Sequence, residues 1–349
     1  MVKVLSFEDA QKSASEFEKR HLLLGNGFSI ACDSTIFTYG SLLENANLAS
    51  IPEVSRVFDA LKTNDFEEVI RALESTAKIL PAYGTEYNEI ARRTRDQAKV
   101  LKNILVNTIA GNHPATPNGV EDQKFWACRR FLSHFLGSDN KEGRVYTLNY
   151  DLLLYWTLMH EDNPDLGPLE LAKNDGFGRE NEGQLLWQGE SSARSQRIHY
   201  LHGALHLFDD NGELRKNSWI GNTTPLLEQT QSAIDSGMFP LFIAEGASGK
   251  KLAKIKRSAY LYHSFKSFSQ MMQNEKATLF IFGHSLADSD NHILQKIMKG
   301  KIPHLYISVH GMENAELEGK AKNLIRMRSP RYPLSVTYFN ASSAKIWDW

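Results

Sequence analysis

The sequence predicts an α/β fold: a Rossmann-like, doubly wound, mostly parallel sheet with an all-helical insertion after the first strand. Short, wholly apolar runs recur along the chain, which is typical of parallel strands buried on both faces. Stretches of helical length separate most of these runs, so strands and helices alternate as in doubly wound proteins. One long segment, residues 52–137, contains no such run, and its apolar residues recur at helical spacing.

The first predicted strand ends at a glycine-rich loop, and six more apolar runs follow it. The seven predicted strands cover residues 22–24, 145–148, 198–201, 241–244, 278–282, 305–309 and 336–339. Amphipathic helices are predicted over residues 252–272 and 288–298. Acidic residues, asparagine and glycine at 207–212 predict a hairpin turn.

The 349 residues suffice for one large domain or two average ones. We assign residues 1–51 and 138–349 to a Rossmann-type nucleotide-binding domain and residues 52–137 to the helical insertion. The insertion either caps the ligand pocket or forms an oligomer face, and the sequence leaves both alternatives open.

Composition excludes several classes of function. The net charge of -1 provides no overall basic field, so we expect no nucleic-acid binding. No apolar run approaches the ~20 residues that cross a bilayer, and residues 1–20 lack a signal-peptide core, so we expect neither membrane insertion nor export. The two cysteines, Cys32 and Cys128, exclude a disulfide framework and a four-cysteine zinc site. We therefore expect a cytoplasmic protein.

Residues with useful chemistry cluster where predicted strands end. Ligands of doubly wound sheets bind beyond the carboxyl ends of the strands. The residues that directly follow predicted strands or close them are Gly25, Asn149, His202, Glu245 and Gly283. This convergence predicts a single ligand site at one edge of the sheet.

The loop after the first strand has the composition of a phosphate-binding turn. Gly25, Asn26 and Gly27 are followed by Ser29, and glycines allow a phosphate to approach the backbone closely. The usual dinucleotide fingerprint has a third glycine where this chain has Ile30, which argues against a simple dehydrogenase. A tight turn between strand and helix that binds no ligand is the alternative interpretation.

Asn149 and His202 are the candidate reacting residues. Asn149 lies in the segment that also contains Thr147 and Asp151, and His202 precedes a glycine. An imidazole titrates near neutral pH, and an amide can orient a ribose or a water molecule. As alternatives, Asn149 or Asp151 caps the following helix, and His202 is a hydrogen-bonded core residue.

Two further groups of residues are considered as ligand sites, and only the first is retained as a candidate. Gly283, Ser285 and Asp290 can contact a ribose or phosphate, or else Ser285, Asp288 or Asp290 caps a helix. The histidines at 199, 202 and 206 are irregularly spaced and lack a supporting cysteine or an HExxH motif. We therefore expect no metal.

Five motifs in order resemble the sirtuin-like family of NAD-consuming proteins. They cover residues 25–29, 147–151, 202–203, 240–246 and 283–285, within a similarity that spans about residues 22–339. Without the four-cysteine zinc module, the chain resembles the bacterial effectors of anti-phage defence, which hydrolyse NAD.

The resemblance implies an NAD hydrolase that produces ADP-ribose and nicotinamide, with NAD as a substrate and no metal. Asn149 and His202 are the implied catalytic pair, and Asp151 is expected to hold the nicotinamide carboxamide. The residues implied in binding the rest of NAD are Gly25, Asn26, Gly27, Ser29, Thr147, Glu245, Gly283, Ser285 and Asp290.

Other activities agree with the same residues. A zinc-free deacylase, an ADP-ribosyltransferase, and a non-enzymatic sensor of NAD or ADP-ribose are the alternatives. Because an uncontrolled NAD hydrolase would kill its host, we expect control by a partner protein that detects infection, by homo-oligomerisation, or by both.

Overall fold

The structure is a computed structural model. It describes residues 3–37, 42–64, 66–111, 113–140, 143–165, 167–179, 185–189, 195–210, 212–217, 225–243, 248–311 and 315–348.

A seven-stranded, entirely parallel sheet forms the centre of the molecule, which confirms the predicted α/β, Rossmann-like class. Across the sheet the strands are β1 (Val4–Leu5), β12 (Ser335–Asn340), β11 (His304–Val309), β10 (Ala277–Phe282), β2 (Lys19–Leu24), β3 (Val145–Thr147) and β6 (Ile198–Tyr200). The chain leaves β2 toward β3 and β6, then returns to the other side of β2 for β10, β11 and β12. The strand order therefore reverses between β2 and β10, the position at which doubly wound sheets bind ligands.

A second sheet of five antiparallel strands was not predicted. Its strands, in spatial order, are β4 (Phe177–Arg179), β5 (Leu185–Trp187), β8 (Glu213–Lys216), β7 (Gly203–Asp210) and β9 (Phe239–Phe242). The apolar run at residues 241–244 was placed in the wrong sheet, because β9 pairs with β7 and not with the parallel strands. The predicted hairpin is confirmed by the pairing of β7 with β8.

Helices flank and connect the strands. They are α1 (Phe7–Ser13), α2 (Gly27–Cys32), α3 (Leu42–Asn45), α4 (Pro52–Leu61), α5 (Phe66–Ile79), α6 (Asn88–Gly111), α7 (Asp122–Leu136), α8 (Leu153–Met159), α9 (Leu226–Asp235), α10 (Ser248–Arg257), α11 (Ala259–Met271), α12 (Asn291–Met298) and α13 (Ala315–Arg326). The helix predicted over 252–272 is divided, because Ser258 begins α11 and its Oγ accepts a hydrogen bond from Leu261 N. None of the helices in the described ranges is long and apolar enough to cross a membrane.

The described residues between 52 and 137 form helices α4 to α7 and short 3-10 turns, without a strand. Helices α5 and α6 pack against each other, whereas α7 lies on the main sheet. The ring of Phe131 is 5.6 Å from that of Phe282, and the ring of Phe135 is 5.3 Å from that of Phe280. These contacts make α7 a covering helix of the parallel sheet. That residues 52–137 form a separate insertion with these boundaries stays a prediction.

Candidate functional site

The candidate site lies at the carboxyl edge of the main sheet, where β3 and β6 run side by side. Thr147 pairs with Tyr200 in the parallel register, so Asn149 and His202 each come two residues after a paired position. Beyond the strands, Leu205 N donates a 2.9 Å hydrogen bond to the carbonyl of Tyr150. The two segments therefore stay together after their strands end, and they carry the predicted amide and imidazole on neighbouring strand ends.

Ser29, Asn149 and Asp151 form a buried group that we call the hydroxyl–carboxylate cluster. Asn149 Nδ2 donates to Ser29 Oγ at 2.8 Å, and Ser29 Oγ donates to Asp151 Oδ2 at 2.5 Å. Thr147 supports the cluster, since its Oγ1 accepts a hydrogen bond from Asn149 N at 3.0 Å. Sequence reasoning had assigned all four residues to the site, and the structure brings them together from α2 and the end of β3 with the segment after it.

Asp151 combines two of the proposed roles. Its Oδ1 accepts from Leu153 N at the start of α8, as the capping alternative requires, while its Oδ2 accepts from Ser29. Burial raises the pKa of Asp151, and the hydrogen bonds from Ser29 and Leu153 N oppose that rise. Asn149 does not cap α8, because the N-cap residue of that helix is Leu152.

The glycine-rich loop after β2 packs directly against the loop after β10. A Cβ on Gly25 would lie 2.7 Å from the carbonyl oxygen of Gly283, and one on Gly27 would lie 2.7 Å from Gly283 Cα. Gly27 N donates to the carbonyl of Gly283 at 2.8 Å, and Gly25 N donates to that of Phe282 at 2.9 Å. These contacts give the glycines a packing role at the point where the strand order reverses. Both N–H groups are used within the protein, so a phosphate here would need other donors.

On the β6 side, the imidazole cluster consists of His202, Ser248, Lys251, His284, Asp290 and His292. His202 Nε2 lies 3.0 Å from His292 Nε2 and 3.9 Å from Asp290 Oδ1. Lys251 Nζ forms a 2.8 Å ion pair with Asp290 Oδ1. The ring of His292 is fixed at its other nitrogen, since Nδ1 lies 3.1 Å from Ser248 Oγ. The cluster therefore joins the end of β6, the start of α10 and the segment leading into α12.

His284 acts in the imidazole cluster as a hydrogen-bond donor. Leu286 N donates to its Nδ1 at 3.0 Å, so Nδ1 carries a lone pair and the ring hydrogen is on Nε2. His284 Nε2 consequently donates to Asp290 Oδ2, 3.1 Å away. Burial acts to raise the pKa of Asp290, but the hydrogen bond from His284 and the positive charge of Lys251 hold it below its usual range.

Burial also keeps the two facing imidazoles of the cluster neutral. It lowers the pKa of His202 to about 3 and that of His292 to about 4, although Asp290 opposes both changes. Both rings are therefore neutral at neutral pH. A neutral imidazole has one N–H and one nitrogen lone pair, and that lone pair can accept a proton or bind a cation.

The predicted residue Ser285 is exposed and joins neither cluster, and Glu245 lies outside the described residues. Asp290 occupies the N-cap position of α12 but forms no capping hydrogen bond with its side chain. His199 and His206 stack on tyrosine rings, at 4.9 Å and 4.3 Å between centroids, and do not join His202.

The glycine of the His-Gly pair has a structural explanation. Gly203 has a φ of +73°, and a Cβ there would lie 1.9 Å from the carbonyl oxygen of Leu241. The chain turns at this point from the parallel sheet into the antiparallel sheet. Ile243 N also donates to the carbonyl of His202 at 2.8 Å. The junction of the two sheets thus fixes the backbone that carries the candidate base.

A family model described as a domain of unknown function, DUF4917, matches residues 22–347. The chain belongs to the DUF4917 family. The DUF4917 match includes every residue of both clusters, so the site lies inside the family domain. A comparison of the sequence with curated proteins gave no match.

Sequence reasoning missed four members of the imidazole cluster in this DUF4917 chain: Ser248, Lys251, His284 and His292. His284 adjoins Gly283, which was selected as a strand end, so its position was a usable signal. It also missed His113, whose Nε2 accepts from Leu152 N at 2.9 Å and holds the backbone beside Asp151. His113 follows α6, far from the site in sequence, and no local pattern indicated that contact.

Proposed function

We propose that this protein is an NAD hydrolase, which converts NAD and water to ADP-ribose and nicotinamide. The observation that carries the proposal is the placement of Asn149 and His202. They follow adjacent parallel strands at equal distance from a paired position, at the edge where doubly wound sheets bind ligands. The resemblance to sirtuin-like NAD-consuming proteins supports the same pair of residues.

The reaction needs little acid catalysis, because nicotinamide in NAD is a cationic leaving group. The bond between the ribose anomeric carbon and the nicotinamide nitrogen breaks, and the nitrogen keeps the electron pair. Water adds to the anomeric carbon through an oxocarbenium-like transition state. One proton of that water passes to His202, and the products are ADP-ribose and neutral nicotinamide.

The surroundings of His202 keep a lone pair available but weaken it as a base. Burial lowers the pKa of His202 to about 3, so its imidazole is neutral at neutral pH, whereas a general base works best with a pKa near the working pH. Asp290 Oδ1, 3.9 Å from His202 Nε2, would stabilise the imidazolium formed when the proton is transferred. The base assigned from the sequence thus has a charged partner that the sequence did not reveal.

Asn149 is assigned to orient the ribose or the attacking water. Its amide nitrogen is fixed by Ser29 Oγ, so rotation of the side chain is restricted. No hydrogen bond within the described ranges uses its amide oxygen, which can accept one from a ribose hydroxyl. Asp151 has further lone pairs for the nicotinamide carboxamide, although both of its oxygens already accept hydrogen bonds.

The biological setting follows from the resemblance alone. We place the enzyme in the cytoplasm as an effector of anti-phage defence that depletes NAD. Its activity would be restrained until a partner protein or a change of oligomeric state releases it.

The test is to incubate purified protein with NAD, alone and in lysate of phage-infected cells, and to quantify nicotinamide and ADP-ribose. We expect both products in equal amounts. His202→Ala should reduce turnover by roughly 10²–10⁴-fold, the usual contribution of a positioned proton-transfer group. Asn149→Ala should also lose most of the turnover, because the ribose or the attacking water is no longer oriented. The exposed His310 provides a matched control, and His310→Ala should retain full turnover.

The products separate the alternatives. In place of free ADP-ribose, O-acyl-ADP-ribose would identify a deacylase, and ADP-ribosylated protein would identify an ADP-ribosyltransferase. Binding of NAD without turnover in either condition would identify a sensor. Wild-type turnover in folded His202→Ala protein would show that His202 is not the base.

A further inference from the structure

Two distant segments of the chain direct three ligand-type side chains at one point. The side chains are His202 after β6, Asp290 before α12, and His292 within α12. One ligand atom from each lies within 4.8 Å of the other two, both histidines are buried, and the Asp290 side chain is 13% exposed. Within the described parts of the chain this is the one such group of histidine, cysteine and acidic residues.

The spacing is close to that of ligands around a metal. In a tetrahedral site with bonds of about 2.1 Å, neighbouring ligand atoms are roughly 3.4 Å apart. Here the two histidine Nε2 atoms are 3.0 Å apart, and His202 Nε2 is 3.9 Å from Asp290 Oδ1. The third separation, between the ligand atoms of His292 and Asp290, is at most 4.8 Å, so the side chains must adjust before all three atoms reach bonding distance from a single ion.

Outer contacts orient two of these ligands, as is usual around metal-binding histidines and carboxylates. Ser248 Oγ lies 3.1 Å from His292 Nδ1 and accepts from His292 N at 2.7 Å, which directs Nε2 toward His202. His284 Nε2 donates to Asp290 Oδ2, which leaves Oδ1 facing the two imidazoles. His284 itself is not a ligand, because its Nε2 carries the hydrogen.

We propose that His202, Asp290 and His292 bind a divalent transition-metal ion of the zinc class. The ligand atoms are the two Nε2 atoms and Asp290 Oδ1. Two imidazoles and one carboxylate are donors that zinc and its neighbours accept readily. Three protein ligands leave a fourth position for water or an incoming oxygen atom.

Lys251 is the internal competitor for this site. Its Nζ lies 2.8 Å from Asp290 Oδ1, the oxygen assigned to the metal, and its side chain is buried. Without a metal, the ammonium group balances the charge of Asp290. A bound ion must displace it, so Lys251 lowers the metal affinity and its removal should raise it.

The test titrates chelator-treated protein with Zn²⁺ by calorimetry and, in parallel, with Co²⁺ while visible absorption reports the coordination. We expect one ion per chain in the wild type. His202→Ala and His292→Ala should abolish that site, and Ser248→Ala should weaken it by roughly 10–100-fold, as outer-contact variants do. Lys251→Met should bind more tightly than the wild type.

A control is essential because the chain has 12 histidines that can bind metal adventitiously. His310→Ala removes an exposed histidine and should leave the tight site unchanged. The proposal is overturned if His292→Ala, folded by circular dichroism, binds Zn²⁺ like the wild type. It is also overturned if neither the wild type nor Lys251→Met binds an ion with defined stoichiometry.

One consequence of this site rests on the proposed function. A metal on His202 Nε2 would take the lone pair of the assigned base, so Zn²⁺ should inhibit NAD hydrolysis and a chelator should restore it. The binding titration does not depend on turnover. A metal that binds as proposed without affecting hydrolysis would therefore count against His202 as the base, and not against the metal site.

Discussion

The two clusters at the carboxyl edge use their polar groups in different ways. In the hydroxyl–carboxylate cluster, Ser29 connects Asn149 to Asp151, so donors and acceptors satisfy one another. In the imidazole cluster, two neutral rings face each other, and Lys251 provides the charge that balances Asp290. The first arrangement is suited to holding a substrate in position. The second can exchange its proton or its cation, and it is therefore where we place proton transfer and metal binding.

Replacing the bridging hydroxyl should have the largest effect on stability. Ser29→Ala removes the acceptor of Asn149 Nδ2 and the donor to Asp151, and leaves both groups buried without that partner. We expect the free energy of unfolding to fall by about 3 kcal/mol, because each unsatisfied buried group costs about 1–3 kcal/mol. Urea denaturation measures the change. A loss below about 0.5 kcal/mol, within the range of ordinary surface substitutions, would mean that the cluster is not closed as described.

The contrast between the clusters also explains what the sequence could predict. Thr147, Asn149 and Asp151 lie in one short segment after an apolar strand, and Ser29 lies in a recognisable loop. Strand ends that are neighbours in a parallel sheet meet at one edge, so local patterns were sufficient for this cluster. In the imidazole cluster, Lys251 and His292 lie inside helices, where nothing local distinguishes them from surface or core residues. Only the three-dimensional packing brings them to His202.

The same reasoning applies to the fold. Six predicted strands belong to the parallel sheet because burial on both faces gives continuous apolar runs. Strands such as β4 (Phe177–Arg179) and β8 (Glu213–Lys216) are short and contain charged residues, so no apolar run marked them. The second sheet therefore remained hidden, and the run at 241–244 was assigned to the sheet that its composition resembles.

Lowering the pH should reveal a second difference between the two clusters, through the titration of His113. Its Nε2 accepts from Leu152 N beside the hydroxyl–carboxylate cluster, so it serves there as a fixed neutral acceptor. Burial lowers the pKa of His113 to about 4. The usual pKa of a histidine is 6.5. Between pH 6.5 and pH 4 the unfolded chain therefore takes up a proton on His113 that the folded protein excludes. The free energy of unfolding should therefore decrease as the pH is lowered, and at pH 5 this one group should account for a loss of about 2 kcal/mol.

His113→Gln keeps an acceptor near the Nε2 position and removes the titration. Denaturation at pH 7.5 and at pH 5 should show a smaller acid-induced loss in His113→Gln than in the wild type, with His310→Gln as the exposed control. For Asp151 the effect of acid on stability has the opposite sign. Its raised carboxyl pKa makes the folded form hold its proton and gain stability on acidification. Equal acid sensitivity in the wild type and His113→Gln would rule out the neutral-acceptor role.

The smallest effect on stability is expected from the serine of the other cluster. Ser248 is only partly buried, and among the described residues its Oγ contacts His292, through Nδ1 and the backbone N–H. Ser248→Ala should lower the free energy of unfolding by about 1 kcal/mol, since water can replace part of the lost hydrogen bonding. It should nevertheless weaken Zn²⁺ binding, because the ring of His292 loses the contact that directs Nε2. Ser29→Ala should show the reverse pattern, with a large loss of stability and unchanged Zn²⁺ affinity. If the two variants behaved alike in both measurements, the two clusters would form one structural unit and the division of roles between them would be wrong.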